Sequence, residues 1–307
     1  MTIKVRHHYV WRNYLRPWSD DDYIWCAREN KIFRSNLMNI GQIKYFYKLK
    51  DLSSEEVTFL NRFIEHASPS HLQVINKRLL ESFAMVFKLK NTFEATGAKN
   101  KKTSELIEKA ICNFGEDLHG GIEAGSIKYL NSLLAGDTSF YEIDEGRMNF
   151  LHYLCIQYMR TNKIREGVVK LVGTSADGVG FENTWGILSH VFSNNMAWHL
   201  HAKGESLKLL LLKNNTPTEF LAGDQPVVNT HASGMEGADI HEHLEFYYPI
   251  SPAMAILITE ENIEKSNAVK IRHLSCAEVK NYNQQIIEQS HSQIYASSEK
   301  ILQKYIN

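Results

Sequence analysis

Apolar residues recur at intervals of three and four in the second quarter of the chain, which is the spacing of an amphipathic helix. Ser53 and Glu56 make a capping-box pattern ahead of an apolar-periodic run from Val57 to Ile64. Ser68 and Pro69 introduce the next periodic run, because proline is favoured at a helix start. The pattern therefore predicts two successive helices.

Three further segments carry helical patterns. The stretch 103–134 is periodic, and we predict that Gly120 and Gly121 interrupt it. Met148 to Thr161 is apolar almost all round, which indicates a helix buried on most sides. Phe181 to Ala202 predicts a long amphipathic helix. Helices therefore dominate the middle of the chain.

Two hairpins are predicted from β-forming runs that flank polar turns. Tyr23 to Ala27 and Ile32 to Arg34 form the first pair. Leu207 to Leu212 forms the second with Phe220 and Leu221, across a turn at Asn214 to Thr218. Each hairpin would add a small β element to a helical protein.

The last part of the chain predicts two more strands and a helix. The strands are Tyr247 to Ile250 and Ala253 to Thr259, the helix is Ser275 to Ile306, and Gly173 to Gly180 predicts a flexible loop. No internal repeat or clear linker divides the chain. We therefore expect residues 1–307 to form a single α+β domain, predominantly helical, with a small antiparallel sheet built from short hairpins.

Composition narrows the class of protein. The chain has 307 residues, of which 43% are hydrophobic and 22% charged, so it can bury a sizeable core and is not disordered. It contains no run of 18 apolar residues and begins with a polar, basic stretch, so we expect no membrane partner and a cytoplasmic location. The four cysteines are far apart and predict reduced packing residues.

Charge is distributed unevenly along the chain. Residues 1–102 contain 18 Lys and Arg against 10 Asp and Glu, whereas residues 103–307 contain 16 against 25. A basic region favours a phosphate-rich partner such as RNA or a nucleotide. The alternative is that Lys99, Lys101 and Lys102 only solvate a loop, and that the two parts of the chain attract one another.

One polar stripe crosses the buried helix. Tyr153, Gln157 and Arg160 share a face, because positions three and four apart stack at the helical period. A buried guanidinium cannot lose its proton, so Arg160 needs a partner. That partner is either an anionic ligand in a cleft or an internal carboxylate such as Asp224.

Asp224 lies in the segment "LAGDQPVVN", where an apolar run ends and then resumes. It follows a predicted strand and Gly223, and Pro226 holds Gln225 extended, so the turn determines the direction of the carboxylate. Asp224 is either a functional carboxylate at a strand end or an Asx-type cap for neighbouring amides.

Histidines are abundant, and two regions place them beside other candidates. His8 lies in the aromatic and basic stretch "RHHYVWRNYLRPW", in which Arg12 would contact a substrate. Imidazole transfers protons near neutral pH, although most of the 14 histidines are expected at the surface or in the core. In the long helix one face carries further polar and aromatic residues: His190, Asn194, Trp198 and His201.

Known metal and phosphate motifs are absent from the sequence. His241 and His243 are too close together for the helical zinc pattern, and no Walker loop, dinucleotide fingerprint or kinase signature occurs. We therefore expect neither a metal nor a cofactor.

Four motifs together resemble the DUF4238 family, bacterial proteins of uncharacterised function. They are "HHYVWRNYLRPW", "IQYMRT", "FLAGDQPVV" and "YYPISP", and their order and spacing agree over nearly the whole chain. Trp11 stands where the family usually has proline, and Gly223 where it usually has serine. The resemblance implies that His8, Gln157, Arg160 and Asp224 belong together.

Two hypotheses for function follow. In the first, the protein is a metal-independent RNA phosphodiesterase, a toxin-like or antiviral effector. His8 would be the acid or base, Arg160 would stabilise the phosphorane, Gln157 would hold a non-bridging oxygen, and Asp224 would orient His8 or Arg160. Tyr153, His190, Asn194 and Arg12 would bind substrate. In the second, the same cleft is a non-catalytic nucleotide or anion sensor. The sequence does not predict an oligomeric state.

Overall fold

Helices make up most of the described chain. The computed structural model describes residues 2–97, 99–172, 179–232, 244–260 and 271–305. Within these ranges the helices are α1 Arg12–Leu15, α2 Ser54–Ala67, α3 Ser70–Ala95, α4 Lys101–Leu134, α5 Asp144–Met159, α6 Asn162–Val172, α7 Phe181–Ala202, α8 Cys276–Gln289 and α9 Glu299–Leu302. The α+β class and its helical predominance are therefore confirmed.

Short strands form three sheets among the described residues. The strands are β1 Arg6–His8, β2 Tyr23–Arg28, β3 Lys31–Asn36, β4 Gln42–Lys44, β5 Lys208–Asn214, β6 Ala222–Gly223, β7 Val228–Asn229, β8 Phe246–Ser251, β9 Met254–Thr259, β10 Ile271–Leu274 and β11 Ile294–Ala296. One sheet pairs β1 with β4, a second has the order β3-β2-β11-β6, and the third has the order β10-β5-β9-β8-β7.

The first predicted hairpin and the two strands predicted around residue 250 are confirmed. β2 pairs with β3 across a turn in which Glu29 and Asn30 have φ of 51° and 59°. Two successive positive φ angles are typical of a type I′ hairpin turn, which matches the twist of the strands. The two strands predicted around residue 250 are β8 and β9, and the structure pairs them antiparallel.

The prediction of one small antiparallel sheet is wrong. The largest sheet has five strands and is mixed, because β10 runs parallel to β5 while the other pairs are antiparallel. The hairpin predicted between β5 and Phe220–Leu221 does not form. β5 lies between β9 and β10, and the chain after Leu221 becomes β6, which pairs with β11.

The predicted helix Ser275 to Ile306 is also wrong in its second half. α8 ends at Gln289, and Ser290 takes an extended conformation with ψ of 151°. The chain then forms β11, whose two neighbours are β2 and β6. β11 thus joins a strand from the first thirty residues to one near residue 222.

The other helical predictions hold, with one exception. Both hydrogen bonds of the capping box between Ser53 and Glu56 are present, at 3.2 and 2.8 Å. α4 continues through Gly120 and Gly121, where we predicted an interruption. Both glycines are exposed, and a Cβ added at either one would meet no heavy atom within 4 Å. Their effect on the helix is therefore limited to the low intrinsic helix propensity of glycine.

Both faces of the five-stranded sheet are covered. Leu209 and Leu211 of β5 pack with the helices, whereas Leu210 and Leu212 pack with the four-stranded sheet and α8. A strand buried on both faces reads as a continuous apolar run, which accounts for four successive leucines. α5 lies within the helical cluster, and its residues 153–157 are almost completely buried.

Candidate functional site

Two helices turn polar faces toward each other inside the helical cluster. On α4 these residues are spaced three and four apart, and on α5 and its C-cap they are spaced four and three apart. The α4 residues are Glu116, His119 and Glu123, and the α5 residues are Tyr153, Gln157 and Arg160. We call these six residues the polar layer. β1 runs beside them and brings His8 close to Arg160.

Arg160 has three hydrogen-bond partners among the residues that the structure describes. Its Nε donates to the Tyr47 hydroxyl at 2.8 Å, its Nη1 pairs with Glu123 Oε1 at 2.5 Å, and its Nη2 donates to the carbonyl of His8. The guanidinium also lies 5.4 Å from the centroid of the Tyr47 ring. Its internal carboxylate partner is thus Glu123, not Asp224. A guanidinium has five N–H groups, so this geometry leaves two for another acceptor.

His8 adjoins this ion pair through its backbone. Its amide donates to Glu116 Oε1 at 3.4 Å, and its carbonyl accepts from Arg160. Burial, with help from the charge of Arg12, lowers the pKa of His8 to about 4. The imidazole is therefore neutral at pH 7.

Several buried atoms of this region have no hydrogen-bond partner among the described residues. They are both amide atoms of Gln157, Nε2 of His8, Nδ1 of His119 and Oε2 of Glu116. Gln157 is only 1% exposed. Leaving such groups unpaired costs free energy, so the region is suited to hold water or a ligand.

A cavity of about 460 Å³ adjoins the polar layer, with Arg160 and His119 in its wall. Its other sides come from the segment after β4, which includes Tyr47, and from the first turns of α7. The cationic lining residues are Lys44, Lys48, Lys50, Arg160 and Arg165, against one carboxylate, Glu182. A volume of this size is typical of small-molecule sites.

Not all of this positive charge is free. Lys48 pairs with Glu108 at 2.9 Å, while Arg165 and Lys50 share Glu182 at 3.0 and 3.8 Å. These pairs are partly exposed, so water screens them and an incoming anion can compete for the cations. The cavity is thus a basic pocket with aromatic walls.

Two stacked imidazoles form part of the cavity wall. The rings of His119 and His190 are 4.9 Å apart and inclined by 25°. Burial lowers the pKa of His190 to about 3 and holds the pKa of His119 well below its usual value. Both rings are therefore neutral at pH 7. His190, a predicted substrate-binding residue, does line the cavity.

Asp224 lies outside this cavity and caps a backbone turn. It accepts hydrogen bonds from the amides of His291, Ser292 and Gln293 at 2.7, 3.0 and 3.1 Å, and from the Ser292 hydroxyl. Tyr9 also donates to it, at 3.4 Å. Asp224 makes no hydrogen bond to Arg160 or His8 among the described contacts. Asp224 therefore caps amides, but these amides lie 67 to 69 residues further along the chain, so the predicted Asx-type cap of neighbouring amides does not describe its contacts.

The remaining predicted binding residues have other partners. The hydroxyl of Tyr153 lies 2.8 Å from that of Tyr248, and Asn194 donates to Asn76 at 2.7 Å. Arg12 is exposed and contacts the sulfur of Met38. None of these three side chains is among the residues of the cavity wall.

No group of three or more His, Cys, Asp or Glu suited to a metal ion occurs within the described ranges. His241 and His243 lie outside those ranges, as does most of the predicted loop Gly173 to Gly180. None of the described helices is long and apolar enough to span a bilayer. All four cysteines are free.

Sequence reasoning missed the α4 side of the polar layer. Glu116, His119 and Glu123 interrupt a periodic helix at intervals of three and four, and that spacing was a readable signal. It also missed Tyr47, which follows a strand of only three residues. Nothing in the local pattern around Tyr47 indicates a contact with residue 160.

Both departures from the family motifs have a structural explanation. Trp11 has φ of −66°, which proline would also adopt, so the backbone does not depend on the residue there. The space that a Cβ on Gly223 would occupy is held by the Ser290 hydroxyl. Ser290 in turn donates to the carbonyl of Ile286 at 2.6 Å. Glycine at 223 therefore allows α8 to pack closely on β6.

The comparison with known proteins agrees with the motifs. A family model described as "Protein of unknown function (DUF4238)" matches residues 6–300. No curated protein and no solved structure matches significantly. Because the match covers almost the entire chain of 307 residues, the protein belongs to the DUF4238 family.

Proposed function

We propose that the protein binds a nucleotide or another phosphate-bearing ligand in the basic pocket. The observation that carries this proposal is the position of Arg160, whose buried guanidinium is held rigid by three protein partners while it forms part of the pocket wall. A guanidinium in a rigid setting is pre-organised for phosphate, because little side-chain entropy is lost on binding.

The composition of the pocket supports a nucleotide rather than a bare anion. Aromatic rings from Tyr45, Phe46, Tyr47 and Trp185 line it beside the cationic side chains. Aromatic faces bind nucleobases, and cations bind phosphates. Residues 1–102 carry a net positive charge, which also favours a ligand that bears phosphate groups.

A binding experiment tests this proposal directly. Fluorescence polarisation with a labelled short oligouridine, and thermal shift with pyrophosphate and ATP, would measure affinity for phosphate-bearing probes. We expect the variants Lys50→Gln and Arg165→Gln to bind more weakly. The slope of log Kd against log salt concentration should also decrease, by about 0.7 for each phosphate that the variant no longer neutralises. Lys300→Gln is a matched control, because Lys300 is exposed on α9 and is not part of the pocket lining. The proposal fails if no phosphate-bearing probe binds.

The second candidate function is metal-independent cleavage of RNA. It is favoured by the two neutral imidazoles beside Arg160 that each have an unpaired buried nitrogen, those of His8 and His119. Of these two rings, that of His119 lines the pocket and that of His8 does not. The His119 ring could accept the proton of a ribose 2′-hydroxyl as its oxygen attacks phosphorus and the bond to the 5′-oxygen breaks. Arg160, which also forms part of the pocket wall, would stabilise the phosphorane, whereas Gln157 is not part of that wall.

A proton donor for the leaving 5′-oxygen is also available in this second candidate. Burial raises the pKa of Glu116, so this carboxyl retains a proton more readily than an exposed one. Asp224, with its oxygens directed at residues 291–293, would then support the site through Tyr9 rather than orient His8 or Arg160 directly.

Incubation of the purified protein with RNA in the presence and absence of EDTA separates the two functions. If the protein cleaves RNA without a metal, the cleavage rate should persist in EDTA. It should fall about 100-fold or more in His8→Ala or His119→Gln. His199→Gln is the control, because His199 is exposed on α7. If RNA binds but no cleavage product forms at any protein concentration, the cleavage function is excluded and the ligand-binding function remains.

A further inference from the structure

One aromatic side chain at the mouth of the basic pocket is exposed and lies in an unfavourable backbone conformation. Tyr45 follows β4 directly, is 41% exposed and belongs to the pocket lining. Its φ is 55°, in the left-handed region that bulky residues rarely adopt. The conformation is held from both sides, because the Tyr45 amide donates to Val5 at 2.9 Å and its carbonyl accepts from the Lys48 amide at 3.0 Å.

Folding alone does not account for a tyrosine here. A glycine or asparagine would satisfy the same turn without strain, and a ring that is two-fifths exposed contributes little to the core. Strained residues that the surrounding structure holds in place are concentrated at sites that bind ligands. The ring is partly covered by the His7 ring, whose centroid lies 6.2 Å away, and by the Lys48 ammonium.

One cation lies over this ring, and further cations line the same pocket. The Lys48 ammonium lies 5.5 Å from its centroid, and Lys44 precedes it in the chain. Lys44 has no ion pair among the described residues, and Lys50 and Arg165 lie further along the pocket wall. An accessible aromatic face beside a line of cations is the combination that binds single-stranded nucleic acid, in which bases stack on rings and phosphates follow the charges.

We propose that Tyr45 is a stacking platform for a base of single-stranded nucleic acid, and that the adjoining phosphates extend along the lysines toward Arg160. This deepens the proposed ligand-binding function and rests on it. A duplex does not fit, because its bases already stack on one another and present no free face. A ligand that carries only phosphate would not use the ring.

Base stacking can be measured separately from phosphate binding. An oligonucleotide with 2-aminopurine at one position loses fluorescence when that base stacks on an aromatic ring. We expect quenching with single-stranded probes, and we expect Tyr45→Ala to remove the quenching and raise Kd about 5- to 100-fold. Tyr45→Phe keeps the ring and should retain both properties. RNA and DNA probes of the same sequence show whether the sugar contributes.

Tyr23 offers a matched control. It is 46% exposed, and the Arg34 guanidinium lies 5.5 Å from its ring centroid, yet it is not part of the pocket lining. Tyr23→Ala should therefore bind and quench like the wild type. Circular dichroism of each variant would exclude unfolding as the cause of a loss.

The outcomes separate this inference from the function on which it rests. If oligonucleotides bind and pyrophosphate displaces them, but Tyr45→Ala and Tyr45→Phe behave alike, the stacking platform is overturned and the phosphate site remains. Equal binding of duplex and single strand would also overturn it. If oligonucleotides, pyrophosphate and ATP all fail to bind, both the inference and the proposed function are overturned.

Discussion

Arg160 and Glu123 form a buried ion pair, in which Nη1 and Oε1 are 2.5 Å apart and the side chains are 2% and 11% exposed. Removal of one partner from such a pair leaves an uncompensated charge in a poorly solvated site. We expect Arg160→Met to lower the free energy of unfolding by about 3 to 5 kcal/mol in denaturant titrations.

The double variant Arg160→Met/Glu123→Leu tests the reason for this loss. It removes both charges at once, so we expect it to be more stable than the single variant. If both variants are equally unstable, the loss comes from the hydrogen bonds to Tyr47 and His8 instead of from the stranded carboxylate.

Asp224 holds the turn that precedes β11. Asp224→Ala would leave the amides of residues 291–293 without their acceptor, and we expect a loss of about 3 kcal/mol in unfolding free energy. The side chain of Gln225 is equally buried and bonds to Thr161 and to the carbonyls of Tyr158 and Val227. Gln225→Leu is therefore a suitable comparison, and we expect it also to lower the free energy of unfolding.

A purely catalytic Asp224 would give a different result. Ligand binding or cleavage would fall in Asp224→Ala while the denaturation midpoint stayed at the wild-type value. That combination would contradict the structural role assigned to the carboxylate.

Stability should decrease in mild acid because of buried histidines. The pKa of His190 is about 3 in the folded protein and 6.5 when unfolded, so below pH 6.5 only the unfolded chain takes up this proton. Unfolding therefore becomes easier as the pH falls from 6.5 toward 3, by about 1.4 kcal/mol per pH unit for one such group. Thermal unfolding across this range would measure the slope.

His190→Gln should reduce that slope by about one proton relative to the wild type. Glu116 and Glu123 act in the opposite direction. Burial raises their pKa values, so the stability they contribute is present in acid and is lost as the pH rises. Since the variant retains these carboxyls, a slope unchanged by His190→Gln would contradict the assignment.

Gly223 should not tolerate a side chain. A Cβ at this position would collide with the hydroxyl of Ser290 and touch Ile286, so we expect Gly223→Ala to cost about 1 to 3 kcal/mol. In the background Ser290→Ala, where the obstructing oxygen is absent, the same substitution should cost less. Equal costs in both backgrounds, measured by denaturant unfolding, would exclude the collision as the cause.

Local signals in the sequence predicted local structure well. The capping box at Ser53, the β2–β3 hairpin and the span of α7 each depend on residues close together in the chain, and all are confirmed. Arg160 was also identified correctly as a buried cation that needs a partner.

Features that depend on remote pairing could not be read in this way. β11 has three residues and acquires its strand character from β2 and β6, so its own sequence resembles the end of a helix. The sequence left the partner of Arg160 open, with Asp224 as one example of an internal carboxylate, for a related reason. Several carboxylates could reach a buried guanidinium, and only the packing of α4 on α5 selects Glu123.

The central position of β11 has a consequence for synthesis of the protein. A chain leaves the ribosome from its N-terminal side, so β2, β3 and β6 emerge long before residues 294–296. Until then the hairpin of β2 and β3 has an open edge that another nascent chain could pair with. Protection of that edge by a chaperone during translation would therefore matter more for this protein than for one whose sheets are completed early.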